Sequence, residues 1–281
     1  MKKLIHLNLK RFDVSDKLGG VNHQEDLFNW GESIVSEIDD YTKKISEEHD
    51  MEFAAYFPEA HLLTAIKGLS EDSKLGIGCQ SVYRKDVEPG GNFGAFTTHR
   101  PASAMSQIGI EHTIIGHFEE RLDKNELLGL VGVEDPKIVN DILNQEIKAA
   151  QKRNMKVLYC IGESLDQKEN WQKILKEQLA IGLTDVDMSN LAIAYEPVWA
   201  IGPGKTPPTG EQIKEIADYI KTLYPNTPLL YGGGLKKENA AEIASIDSLD
   251  GGLIALTRFS GEIGFYPDEY QEIINEYLGL N

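Results

Sequence analysis

A single (β/α)8 barrel is the fold class this sequence predicts, and three observations predict it. Eight short apolar runs alternate with amphipathic stretches along the whole chain. Most of those runs are too continuously apolar for a sheet with one wet face, so they read as parallel strands covered on both sides. No linker, low-complexity stretch or compositional shift divides the 281 residues, a length that suits one large barrel, so residues 1–281 are read as one domain. An open, doubly wound sheet is the other arrangement this alternation allows.

The strands expected are Leu4–Leu9, Glu52–Phe57, Lys74–Cys79, His112–Gly116, Met155–Ile161, Leu191–Tyr195, Pro228–Gly232 and Gly251–Leu256. Between them run helical stripes: Trp30, Ile34, Ile38 and Ile45; Ile138, Ile142, Leu143 and Ile147; Trp171, Leu175, Leu179 and Leu183; Ile213, Ile216, Ile220 and Leu223. Ala240, Ile243 and Ala244 make a shorter stripe, and Ile273, Ile274, Tyr277 and Leu278 close the chain. Weaker helices fit Glu59–Leu69 and Pro101–Ile108, and Thr209 with Gln212 forms a capping box ahead of the fourth stripe. Long loops at Arg11–Asn29, Arg84–Phe93 and Thr257–Pro267 each follow a strand, which puts them on the C-terminal face where barrels carry their chemistry.

Charge narrows the function. With 28 Lys+Arg against 45 Asp+Glu the formal net charge is −17, which leaves no cationic surplus to displace counterions from nucleic acid or to dock on anionic lipid. The apolar runs are too short to span a membrane, and MKKLIHLNLK lacks the apolar core of a signal peptide. Cys79 and Cys160 are the only cysteines and both lie in strand-like runs, so a cytoplasmic protein without disulfides is expected. Scattered His and two isolated Cys show no metal-ligand spacing, and no metal is expected.

The polar residues at strand ends carry the candidate chemistry. His6, Asn8 and Lys10 share one face of the first strand; a lysine in a barrel mouth suits an anion, or is a plain surface charge, while His6 reads as an interior histidine. His117 sits at the tip of the fourth strand before Glu119 and Glu120, where a helix N-terminus favours a neutral imidazole. Glu196 ends the sixth strand among apolar neighbours, as a general base working on carbon-bound protons should. The stretch after it, with Gly202 and Gly204 between Pro197 and Pro207–Pro208, has the build of a closing lid or of a stiff turn. Gly232, Gly233 and Gly234 end the seventh strand in a turn that can face a phosphate.

Taken together, Asn8/Lys10, IGHFEER, CIGE, AYEPVWAIGPGKTP and YGGG resemble the triosephosphate isomerase family in order and spacing over nearly the whole chain. The resemblance implies a (β/α)8 enzyme that interconverts an aldose and a ketose phosphate without coenzyme, in glycolysis and gluconeogenesis. It implies Glu196 as the base, His117 as a neutral imidazole polarising the carbonyl, Lys10 with Asn8 as the electrostatic group, Glu119 as the acid after the histidine, and residues 197–206 as the lid. Glyceraldehyde 3-phosphate and dihydroxyacetone phosphate are the expected substrates; a larger, four-carbon ketose phosphate and a catalytically silent barrel are the alternatives.

Departures from the family pattern fall on the phosphate grip. Phe118 stands for a serine, Glu120 for an arginine and Gly234 for a serine, while DGGLIALTRF puts Ala255 and Leu256 where the pattern has two glycines. Arg258 is therefore expected to bind phosphate beside Gly202, Gly204, Gly233 and Gly234, moved outward enough to lengthen the pocket. A C2 homodimer is also expected, its third loop, GAFTTHRPAS, plugging into a partner. There His99 and Arg100 would face Glu120 with the signs of the family's pair exchanged.

Overall fold

The apolar runs become strands whose pairing order closes on itself. In the computed structural model, which describes residues 2–200 and 205–280, the strands are β1 (Lys3–Asn8), β2 (Met51–Phe57), β3 (Leu75–Gln80), β4 (His112–Ile115), β5 (Lys156–Glu163), β6 (Leu191–Pro197), β7 (Leu229–Tyr231) and β8 (Gly251–Ile254). Each pairs in parallel with the next, and β8 returns to β1. Closure removes every sheet edge, and the barrel, not the open sheet, is the architecture.

Alternation along each strand makes two cores. Leu4, Tyr56, Ile114, Leu158, Cys160 and Leu253 point inward and fill the barrel. Ile5, Leu7, Phe53, Ile77, Ile193 and Leu229 point outward under the helices. The inner rings have room because β3 supplies glycines: a Cβ on Gly76 would stand 2.3 Å from His112 Nε2, and one on Gly78 would stand 2.4 Å from Tyr56 Cδ1. His6 is an interior residue as expected, its Nδ1 2.9 Å from the Tyr56 hydroxyl, although its Nε2 has no protein partner. Burial lowers His6 well below the usual histidine range, and lowers His112 to about 4.

The outer layer comprises α1 (Trp30–His49), α2 (Leu62–Lys67), α3 (Ala102–Gln107), α4 (Phe118–Leu130), α5 (Pro136–Gln151), α6 (Trp171–Gly182), α7 (Gly210–Leu223), α8 (Ala240–Ala244) and α9 (Pro267–Leu278). The capping box is present at α7: Thr209 Oγ1 accepts the Gln212 N–H and Gln212 Oε1 accepts the Thr209 N–H. Helix α4 has no apolar stripe among the expected ones, and the reason is physical. None of its residues is buried, and Leu127 and Leu130 face solvent, the latter 83% exposed. No described helix is long and apolar enough to cross a membrane.

Candidate active site

Three strand tips converge at the C-terminal mouth. After β1 the chain turns so sharply that Lys10 takes φ 40°, a left-handed conformation unusual for a residue with a side chain. Asn8 holds it there, its Oδ1 accepting the Lys10 N–H at 3.0 Å, and Gln80 at the end of β3 donates to the Lys10 carbonyl at 2.7 Å. Gln80 is a positioning residue that strand patterning alone had left unremarked. The Lys10 ammonium, about a quarter exposed, pairs with Glu119 Oε1 at 2.7 Å.

After β4, Gly116 at φ 81° turns the chain so that His117 caps α4. Its Nε2 lies 2.9 Å from Glu196 Oε1 and its Nδ1 touches Glu119 Oε2. Glu196, at the end of β6, is 1% exposed, and its Oε2 accepts the Phe118 N–H at 3.1 Å. The main chain thus holds the glutamate whatever side chain follows the histidine, which accounts for a phenylalanine at that position.

The imidazole expected to be neutral is set here against two carboxylates in contact with it. Burial alone would lower His117, but the Glu196 carboxylate and then Glu119 outweigh it and push His117 up to about 9. Glu119, although burial would raise it, is held far below the usual carboxylate range by His117 and Lys10. One end of a helix dipole is a weaker influence than two carboxylates in contact.

Beyond the base, Glu163 at the end of β5 anchors the chain leaving β6. It is buried, and its Oε1 accepts the Tyr195 hydroxyl at 2.9 Å and the Trp199 indole N–H at 2.8 Å. Burial raises its pKa. Lys168 stands 3.5 Å over the Trp199 ring. The CIGE motif thus contributes a clamp on the start of the segment expected to be a lid. Gly202 and Gly204, expected to bind phosphate, lie outside the described residues.

A cavity of about 440 Å³ opens over these groups, lined by Asn8, Lys10, His117 and Glu196 on one side and by Gly233, Gly234, Lys236 and Leu256 on the other. Arg258 does not reach it, a correction to the expected phosphate grip. Its Nε and Nη2 lie 2.7 and 2.6 Å from Glu269 Oε1, and its guanidinium stacks 3.6 Å over Tyr266. The pairing of Arg258 with Gly264 folds the loop back toward α9, where Glu269 stands in the first turn.

The expected charge exchange between subunits is also corrected. Glu120 Oε2 accepts the Gly116 N–H at 2.6 Å, while its Oε1 bonds Ser81 Oγ at 2.6 Å and Lys124 at 2.8 Å. Lys124 reaches Glu146 as well, at 3.2 Å. Burial and the facing Glu120 push Glu146 up to about 9, whereas Lys124 holds Glu120, despite its own burial, below the usual range. Arg100 is occupied within the chain, donating to the Ser81 and Gln80 carbonyls and pairing with Glu59. His99 lies flat on Tyr83.

Comparison with known proteins finds relatives along most of the chain. The family model described as triosephosphate isomerase matches residues 28–275. The triosephosphate isomerase of Lactobacillus helveticus is 32% identical over 226 residues, covering 76% of this chain and 80% of that protein. That of Alkaliphilus oremlandii is 31% identical over 265 residues, covering 88% and 96%. The crystal structure of triosephosphate isomerase from Bartonella henselae superimposes with a TM-score of 0.74 at 22% identity, covering 99% of this chain and all of that one, and shares the fold.

Proposed function

The chain belongs to the triosephosphate isomerase family, and from that premise we propose that its barrel mouth interconverts glyceraldehyde 3-phosphate and dihydroxyacetone phosphate. The observation that carries the reading is the buried Glu196, fixed by the Phe118 N–H, in contact with His117 and lining one cavity with it and Lys10. Glu196 takes the proton from the carbon beside the substrate carbonyl, and the electron pair left behind moves onto the carbonyl oxygen. His117 Nε2–H and the Lys10 ammonium meet that charge as the enediolate forms. His117 Nε2 gives a proton to that oxygen and takes one from the neighbouring hydroxyl oxygen, and Glu196 returns its proton to the former carbonyl carbon, so aldose and ketose exchange with no net change of atoms or electrons. A protonated Glu196 no longer favours the imidazolium, so His117 becomes a stronger acid at the moment an oxygen needs its proton.

The case for a four-carbon substrate rested on a phosphate drawn outward by Arg258, and the Glu269 pair removes it. The test is turnover of glyceraldehyde 3-phosphate by purified protein, run in deuterated water. Deuterium entering the product at the carbon beside the carbonyl supports the reading; no turnover and no exchange would end it.

The same reading makes the chain one half of a C2 homodimer. Residues 91–99 are mostly exposed, with Phe93 90% exposed. A second cavity of about 430 Å³ beside Lys10, lined by Phe12, Val21, Gln80 and Glu119, offers a socket for that segment from a two-fold mate. Sedimentation at micromolar concentration should give twice the chain mass, reduced toward one chain by Phe93→Asp; a monomeric wild type would refute the pairing. The two buried, unpaired thiols, Cys79 and Cys160, suit a reducing compartment such as the cytoplasm.

A further inference from the structure

The turn after β7 carries two adjacent lysines with different fates. Lys237 points outward and pairs with Glu272 of α9 at 2.9 Å. Lys236 lines the cavity that holds Glu196, half-buried, and among the described residues it forms no ion pair. Its ammonium rests 3.9 Å over the ring of Phe259. Phe259 belongs to the segment after β8 in which Ala255 and Leu256 replace the two glycines of the family pattern. A side chain at Leu256 keeps an anion from approaching the backbone as closely as glycine allows. The segment that loses a main-chain grip therefore also supplies the aromatic surface that seats a cation over the same cavity.

We propose that Lys236, seated on Phe259, is the phosphate-gripping and specificity-determining residue of this isomerase, a second cation lining the cavity that Lys10 also lines. The inference rests on the isomerase reading and adds to it where the charge of the substrate is met. The turn is built to hold the lysine in place: its main-chain N–H donates to Asn239 Oδ1 at 2.8 Å, and Asn239 Nδ2 donates to the Gly234 carbonyl at 3.1 Å. Gly233 and Gly234 line the cavity beside it. Glu238 and Glu242 line it too, so a dianion entering here meets carboxylates as well and depends on a cation to offset them. Burial lowers the Lys236 pKa and outweighs the opposing pull of Glu238.

Lys236→Met keeps the length of the chain and removes the charge. KM for glyceraldehyde 3-phosphate should rise roughly 10- to 100-fold, the range for losing a charge-assisted contact, with a smaller change in kcat. For glyceraldehyde, which has no phosphate, the loss in kcat/KM should be at least about tenfold smaller than for the triose phosphate. Lys236→Arg should recover part of the affinity. Inorganic phosphate provides a readout independent of turnover: it should raise the Tm of wild type and not that of Lys236→Met, each measured from its own phosphate-free baseline. Equal protection of both proteins, a KM within twofold of wild type, or equal losses on both substrates would overturn the proposal. A wild type that phosphate protects through Lys236 yet that turns over no triose phosphate would instead overturn the isomerase reading and leave the anion site standing.

Discussion

Glu196→Gln should lower kcat by at least about a hundredfold while leaving KM within a few-fold of wild type, because it removes a proton acceptor and little else. The amide has the size of the carboxylate and can still accept the Phe118 N–H that fixes Oε2. What it lacks is basicity at an atom that is 1% exposed and shielded from any water that might substitute. A second readout follows from the same contact. Glu196 is the strongest of the influences that raise His117 to about 9, so in Glu196→Gln the imidazole should titrate lower, visible in its NMR chemical shifts. Turnover near that of wild type would remove Glu196 from the mechanism; an unmoved His117 titration would remove the Glu196–His117 contact as its cause.

Gly162→Ala, a change that touches no substrate, should damage both stability and rate. Gly162 pairs with Glu196 across β5 and β6, and a Cβ there would stand 2.0 Å from the Glu196 carbonyl oxygen. The atom it meets is backbone, so no side chain can swing aside and the two strands must part. Overpacking of this kind costs about 1–3 kcal/mol. Displacing the base by about 1 Å costs on the order of a hundredfold in rate. Gly129→Ala is the control: it lies in α4, where a Cβ meets nothing within 4 Å, and alanine suits a helix better than glycine. A Gly162→Ala enzyme with wild-type Tm and kcat would show that the seam between β5 and β6 yields without cost.

These contrasts show what kind of information the sequence holds. The strands were legible because a barrel buries both faces of each one, so an apolar run needs no context to be recognised. Helix α4 was not, because Leu128 is its one apolar side chain packed on the core and a single residue makes no stripe. Asn8, Lys10, His117 and Glu196 could be placed because each sits at a strand end, where topology decides its direction. Arg258 and His117 resisted for the opposite reason. Whether a guanidinium faces a pocket or Glu269, and whether an imidazole meets one carboxylate or two, depends on loops meeting across the mouth. Lys236 was hidden in the same way, since its role depends on a phenylalanine from the next strand's loop.

Two of the upward-shifted groups, His117 and Glu146, have a consequence for the heat of unfolding. Near pH 8 a free histidine and a free glutamate have both lost their protons, but in the fold His117 and Glu146 keep theirs, each being pushed up to about 9. Folding at that pH takes up protons at these groups, and unfolding hands them to the buffer. The sign follows directly: the native state binds more protons, so stability is greatest at the acid end of this window and declines as pH climbs through 9. The enthalpy a calorimeter records will then contain the protonation heat of the buffer and should differ between phosphate and Tris. The same chain would seem to unfold with two different enthalpies, the difference reporting protons that the fold had been keeping from water.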